Sequence, residues 1–471
     1  MSREKELAKN TAILTVGKIC TQCVNFLLLP LYTTLLETSE YGVFDLMLTY
    51  GTLLLPLINW QFDQGIFRFM LDCRKNVAQQ KELFSTALIV NTGQSLIFGI
   101  ISGLVFLKMQ FAFGPFLILY VVLHVYMALF LQLSRGLGMS KIYAIASFIS
   151  ASVTVGLNVV TLAVLQMGLK GLFVATIFAQ VLTILYLIYS VRLWDYFGIS
   201  YIKRDVYKKI RNYSLPLIPN NLAWWVVNVS DRTVISYILG VAVNGIYSVA
   251  NKFSGVFIQF YNIFNLSWTE TVSLHYQDQD RDEFLSEVVT TIYKLFACTC
   301  LIICASMPFL FPIIINEKYE DAYPQIIILM YAMLLRVVVG LYSCIYVAQK
   351  DSKKIAYTSV ISALINIVVH LMFIWKIGLY AASWSTFIAF GSMAVIRYID
   401  VNKTIKMRIS NGVLLSTFII AILLMCSYYI NNFIGNIIML LAVLGYSAWI
   451  NRELFTLIKA NGLKHLKKIG Q

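Results

Sequence analysis

The chain has 471 residues, of which 59% are hydrophobic and 13% charged, far below the roughly 25% charged of soluble domains. Its 37 lysines and arginines against 23 acids give a net charge of +14, and the mean hydropathy is +0.75. Apolar runs of about 20 residues, each enough to cross a hydrocarbon core of about 30 Å, recur from end to end and leave no stretch for a soluble enzyme domain. The expected class is therefore all-α, a polytopic integral membrane protein.

The basic N-terminus MSREKELAKN leads into an apolar run too long for a signal-peptide core and lacking a small-residue cleavage site, so it reads as a retained first span. Fourteen spans are expected in all, at about 11–36, 42–68, 83–107, 111–134, 142–166, 171–191, 213–239, 243–268, 286–311, 324–349, 355–375, 378–402, 411–430 and 434–456. The eight cysteines lie nearly all inside these spans, and Cys20/Cys23 has neither a second half nor a histidine partner. A disulfide or metal framework is therefore not expected. No phosphate loop, nucleophile elbow or zinc spacing occurs, so no catalytic residue, metal or cofactor is assigned.

Lysines and arginines in the connections number 26 on one side of the membrane and four (Lys108, Lys170, Lys318, Lys376) on the other. The positive-inside rule then places both termini in the cytoplasm and accounts for the basic balance by topology, without nucleic acid. The longest connection, Arg192 to Arg211, follows span six and is the expected linker between two halves.

Those halves repeat. EYGVFDL (Glu40 to Leu46) corresponds to NGIYSVA (Asn244 to Ala250), with Gly42 matching Gly245 at an offset of 203, which also lays Asn25 on Asn228. SKIYAIASFIS (Ser140 to Ser150) resembles SKKIAYTSVIS (Ser352 to Ser362), and GLKGLFVAT (Gly168 to Thr176) resembles GLYAASWST (Gly378 to Thr386). Six helices per repeat is even, so the pseudo-two-fold axis runs along the membrane normal. The expected organisation is an N-terminal lobe over 1–200, a second lobe over 201–408, and two additional helices with a basic tail over 409–471.

Seven cations remain within or at the ends of spans: Lys18, Arg68, Arg232, Lys252, Lys294, Arg336 and Arg397. Lys18, Gln22 and Asn25 share one face of span one at i, i+4, i+7, and Asn221, Trp225, Asn228 and Arg232 share one face of span seven. Trp60, Gln64 and Arg68 form a third stripe in span two, with Asp63 one position off it. Lipid penalises such faces, so they are expected to look into the bundle or a water-filled cavity. From the helical rise, Arg232 and Lys252 lie about 10 and 12 Å below the outer ends of their spans and Arg336 about 18 Å down. A cation ladder with few acids suggests an anionic passenger, and arginine offers a planar fork suited to phosphate. The bland readings are a structural pair for Asp231 and Arg232, snorkelling for Arg68 and Arg397 at their span ends, and a salt bridge from Asp63 to Arg68 or Lys18.

KNTAILTVGKICTQCVNFLLLPLYTTLLETSEYGVFDL, SDRTVISYILGVAVNGIYSVANKF and GLYAASWSTFIA resemble the Wzx-like polysaccharide flippases of the multidrug/oligosaccharidyl-lipid/polysaccharide exporter superfamily, over essentially the whole chain. The resemblance implies two six-helix lobes around a cationic cavity, working by alternating access in a bacterial cytoplasmic membrane. The passenger would be an undecaprenyl-pyrophosphate-linked oligosaccharide, moved to the outer leaflet for capsule, exopolysaccharide or O-antigen assembly. Lys18, Arg68, Arg232, Lys252 and Arg336 fit the basic cavity, with Gln22, Asn25, Gln64, Asn221 and Asn228 as polar lining. Asp63 or Asp231 would couple to a proton or sodium gradient, or the membrane potential would drive transport. Expected partners are the lipid-linked substrate, membrane lipids and the polysaccharide polymerase machinery. The rivals are a drug/cation antiporter of the same superfamily, which should place acids in its cavity, a lipid II flippase, and a membrane polymerase, which would need a larger outer loop than any here.

Overall fold

The computed structural model describes residue 26 and residues 28–74, 76–349 and 351–452. It is all-α, with no strand among the described residues. Ten of the described helices are long and apolar enough to cross a membrane, which makes the chain a multi-pass membrane protein. The chain divides into two compact units, 1–248 and 249–471.

The first unit holds α1 (Leu29–Leu35), α2 (Thr38–Ile58), α3 (Phe62–Asp72), α4 (Val77–Met109), α5 (Gly114–Gly136), α6 (Ser140–Val159, continued by a π-turn over Val160–Val164), α7 (Gly168–Val191), α8 (Arg204–Ser214), α9 (Leu217–Ile238) and the first turns of α10 (Val241–His275). Its core packs Phe62, Ile66 and Met70 of α3 against Phe84, Leu129, Leu133, Leu187 and Ile210. Ile210 belongs to α8, a short helix at the Arg192–Arg211 connection that buries Ile210 and packs Val206 and Tyr207 against the same core, with Arg204, Lys208 and Lys209 exposed. α9, which lies within the expected span 213–239, is not among the ten apolar helices, because three asparagines, Asp231 and Arg232 lower its hydropathy.

The expected second span is two helices. α2 stops at Ile58, and Trp60 (φ 50°) and Gln61 (φ 58°) sit in the left-handed region before α3 begins. Non-glycine residues adopt this conformation only when their surroundings compensate. Here the Asn59 side chain accepts from the Gln61 backbone N–H at 2.9 Å and donates to Asp63 at 2.9 Å, closing the bend. Trp60 is therefore not in helical register with Gln64 and Arg68, and the expected three-residue stripe does not form. A left-handed pair of ordinary residues carries no sequence mark, unlike a glycine or proline break.

The second unit holds the rest of α10, α11 (Arg281–Ile314), α12 (Tyr323–Ala348), α13 (Ser352–Ile377), α14 (Tyr380–Val401), α15 (Asn411–Ile430) and α16 (Phe433–Ile450). Arg397 of α14, expected to snorkel, is instead 1% exposed. Its guanidinium bonds Thr358 Oγ1 (3.0 Å), Ser359 Oγ (3.3 Å), the Ile355 and Val339 carbonyls, and the Ser343 hydroxyl. All partners are neutral. In place of a carboxylate, many oriented dipoles solvate the charge and tie α12, α13 and α14 together. α15 is fastened to α12 by hydroxyl-to-carbonyl bonds: Tyr331 to Ala421 (2.8 Å), Tyr428 to Tyr323 (2.7 Å) and Tyr429 to Pro324 (2.8 Å).

A candidate functional site on α2 and α9

Asn221, Trp225 and Arg232 recur on one face of α9, as their spacing requires, and in the first unit that face lies along α2. Asn221 Nδ2 donates to Gln61 Oε1 at 2.7 Å, and Trp225 Nε1 donates to the Thr49 carbonyl at 3.3 Å. One guanidinium nitrogen of Arg232 donates to Asp45 Oδ1 at 3.1 Å and Thr49 Oγ1 at 3.3 Å. Asn228 spends its amide on the Trp224 carbonyl of its own helix, at 2.7 Å.

Asp45 is the residue that sequence reasoning missed. It lies inside EYGVFDL, a stretch read only as half of a repeat, and it is 5% exposed. Its second oxygen accepts from Ser248 Oγ at 2.6 Å. Asp231 accepts from the Tyr247 hydroxyl and, at 2.9 Å, from the Arg232 backbone N–H. The adjacent acid and base thus have separate partners, as their helical offset of about 100° demands. The cluster holds two carboxylates and one guanidinium. Arg232 has unspent capacity: its Nε is buried without a hydrogen-bond partner among the described residues, and the side chain is 23% exposed.

The repeat becomes a contact here. A Cβ on Gly42 would overlap the Val241 carbonyl oxygen, and a Cβ on Gly245 would overlap the Thr38 carbonyl oxygen. Thr38 and Val241 are themselves separated by the repeat offset of 203, as are Gly42 and Gly245, and Asp45 and Ser248. Asn244 Nδ2 adds a bond to the Gly42 carbonyl at 3.1 Å. The two copies of one motif therefore meet face to face about a local two-fold axis, each glycine admitting the other's backbone. Close helix approach through small residues is the usual means by which helices associate in lipid, where no hydrophobic force drives them together.

Lys18, Gln22 and Asn25 lie outside the described residues. Arg68 pairs with Asp72 at 2.7 Å on the exposed end of α3. Asp63, 5% exposed, bonds Asn59 and Gln64 (2.7 Å from Gln64 Nε2) and pairs with no cation among the described residues. The expected salt bridge from Asp63 to Arg68 is thus not made. In the second unit Lys252 is half-buried, and the Arg336 guanidinium stands 5.7 Å from the centre of the Phe390 ring.

The sequence profile described as "Polysaccharide biosynthesis protein" matches residues 7–268. No curated protein matches the chain significantly. Among solved structures, a multidrug resistance MATE family transporter of the MOP superfamily in an inward-facing conformation is similar with a TM-score of 0.67 at 14% identity, covering 81% of this chain and 94% of that one. An outward-facing MATE family transporter gives 0.55 at 14% identity, over 85% and 95%, and a MATE in a straight conformation 0.53 at 15%, over 85% and 95%. The fold is that of these transporters, and the profile match across more than half the chain places it in the polysaccharide biosynthesis protein family.

Proposed function

We propose that the protein carries an undecaprenyl-pyrophosphate-linked oligosaccharide from the cytoplasmic to the outer leaflet, serving capsule, exopolysaccharide or O-antigen assembly. The observation that supports this reading is Arg232, a partly buried guanidinium on α9 with a donor left over, among the described residues, after Asp45 and Thr49 are satisfied. A pyrophosphate oxygen offers what that donor lacks, and charge-assisted bonds to phosphate are among the stronger ones. In this reading Arg232 alternates between Asp45 and the headgroup, so substrate binding loosens the α2–α9 seam. Lys18, Arg68, Lys252 and Arg336 supply further positive charge along the path, Gln22, Asn25, Gln64, Asn221 and Asn228 its polar lining, and Asp63 or Asp231 the coupling to an ion gradient. The lobes that rock are those of the repeat, 1–200 and 201–408, and both termini are cytoplasmic.

A second reading has a specific observation in its favour. Asp45, Asp63 and Asp231 are three buried carboxylates in one unit, the feature a drug/cation antiporter needs. Reconstituted vesicles separate the two. Translocation of a defined lipid-linked oligosaccharide, lost in Arg232→Gln, is the expected result. Proton-driven uptake of an organic cation with no movement of the lipid-linked sugar would establish the antiporter instead.

A further inference from the structure

Lys294 has no part in the α2–α9 site, yet it lies on an ordered stripe of α11. Asp282, Ser286, Thr290 and Lys294 recur every four residues and so share one face. The first three hold the backbone of the chain entering α15: Asp282 accepts from the Lys406 N–H, Ser286 from Arg408 and Thr290 from Ser410, each at 3.1 Å. The fourth has no such backbone to hold. It lines a cavity of about 300 Å³ together with Ser410, Gly412, Ser416, Trp449 and Arg452, where α11, α15 and α16 converge.

The charged residues that line this cavity, Lys294 and Arg452, are both cations. Neither Lys294 nor Arg452 has a carboxylate within ion-pair distance among the described residues. The first turn of α15 has no acidic residue, and Ser410 makes no side-chain cap, so its backbone N–H groups add to the two cations. Gly412 is open: the nearest atom to a Cβ there would be Ser410 Oγ at 4.0 Å. The cavity lies at the ends of α15 and α16 that adjoin the basic segments, beside Trp449, an exposed indole of the kind that marks the membrane interface. Basic clefts between helices at that level take up lipid headgroups.

We infer that this cleft binds the phosphate of an anionic phospholipid headgroup, independently of the transported substrate. The inference concerns the α11–α15–α16 cleft alone and does not depend on what passes the α2–α9 site. The test uses the purified full-length protein in neutral detergent and reads the thermal midpoint against added phosphatidylglycerol, phosphatidylcholine or inorganic phosphate. Phosphatidylglycerol is expected to raise the midpoint at concentrations where the other two do not. Lys294→Gln with Arg452→Gln should need about 25-fold more phosphatidylglycerol for the same rise, about fivefold per cation removed. Lys294→Arg should behave as the parent, and so should Lys108→Gln, a cation elsewhere. Because the increment caused by lipid is compared, a variant that is merely less stable still gives an answer. If Lys294→Gln does not fold, Arg452→Gln alone is read in the same way at the exposed rim. Equal stabilisation by phosphatidylcholine, an unchanged response in the charge variants, or the full effect from inorganic phosphate alone would each overturn the assignment, the last in favour of a soluble anion.

Discussion

Asp45 and Arg232 illustrate how the worth of a buried ion pair depends on what is removed. Truncating one partner leaves a charge in a low-dielectric site and costs about 3 kcal/mol or more, whereas replacing both leaves none. Arg232→Gln is therefore expected to lower the thermal midpoint in detergent, and Asp45→Asn combined with Arg232→Gln to restore most of the loss. If Arg232 also meets the substrate, the double variant stays silent in the vesicle assay despite its recovered stability. Recovery of both would make the pair purely structural. This pair was only half visible in the sequence. Arg232 stood out because a charge in an apolar run is anomalous, and so did Asp231 beside it. Asp45 is equally anomalous but sits inside the repeat match EYGVFDL, and nothing local links positions 45 and 232. Arg397 shows the opposite error, since distance from the span end suggested snorkelling while the hydroxyls of Ser343, Thr358 and Ser359, which hold it inside, come from two other helices.

At the level of elements, the meeting of α2 with the start of α10 depends on two glycines. The obstacle to a larger residue at either position is a carbonyl oxygen in helical backbone, which cannot swing aside as a side chain tip can. Gly245→Ala should therefore cost about 1–3 kcal/mol, the usual range for overpacking, although alanine is the better helix former by up to about 1 kcal/mol. Gly93→Ala in α4, where nothing lies within 4 Å, isolates the propensity term and is expected to hold or slightly raise the midpoint. If the two variants shifted the midpoint alike, the close approach of the helices would not be what Gly245 provides. The sequence supplied the match of Gly42 to Gly245 but not their contact, because similarity between two segments does not say whether they lie apart or touch. The bend at Asn59–Gln61 is hidden for a related reason: it is held by the Asn59 side chain, which accepts from the Gln61 backbone N–H and donates to Asp63, and no glycine or proline marks the left-handed pair.

For the whole molecule, charge asymmetry carries the topological expectation, because each basic connection constrains every later one. A missed or invented span would invert all subsequent loops, so an alternation sustained from the first connection to the last is self-checking. The hydropathy of single helices is a weaker guide, since it does not pick out α9, which the expected topology counts as part of a span. Cysteines placed singly at Lys108, Lys170, Lys318 and Lys376, all exposed, in a chain whose eight native cysteines are replaced, should react with an impermeant maleimide from outside intact cells. Cysteines at Lys203, Lys353 and Lys403, also exposed, should react only after permeabilisation. Because the seven markers are spread over both repeats, an error in one span would leave the early markers in agreement and reverse every later one. Such a reversal would locate the faulty helix and, with it, remove the even number of crossings on which the parallel relation of the two repeats depends.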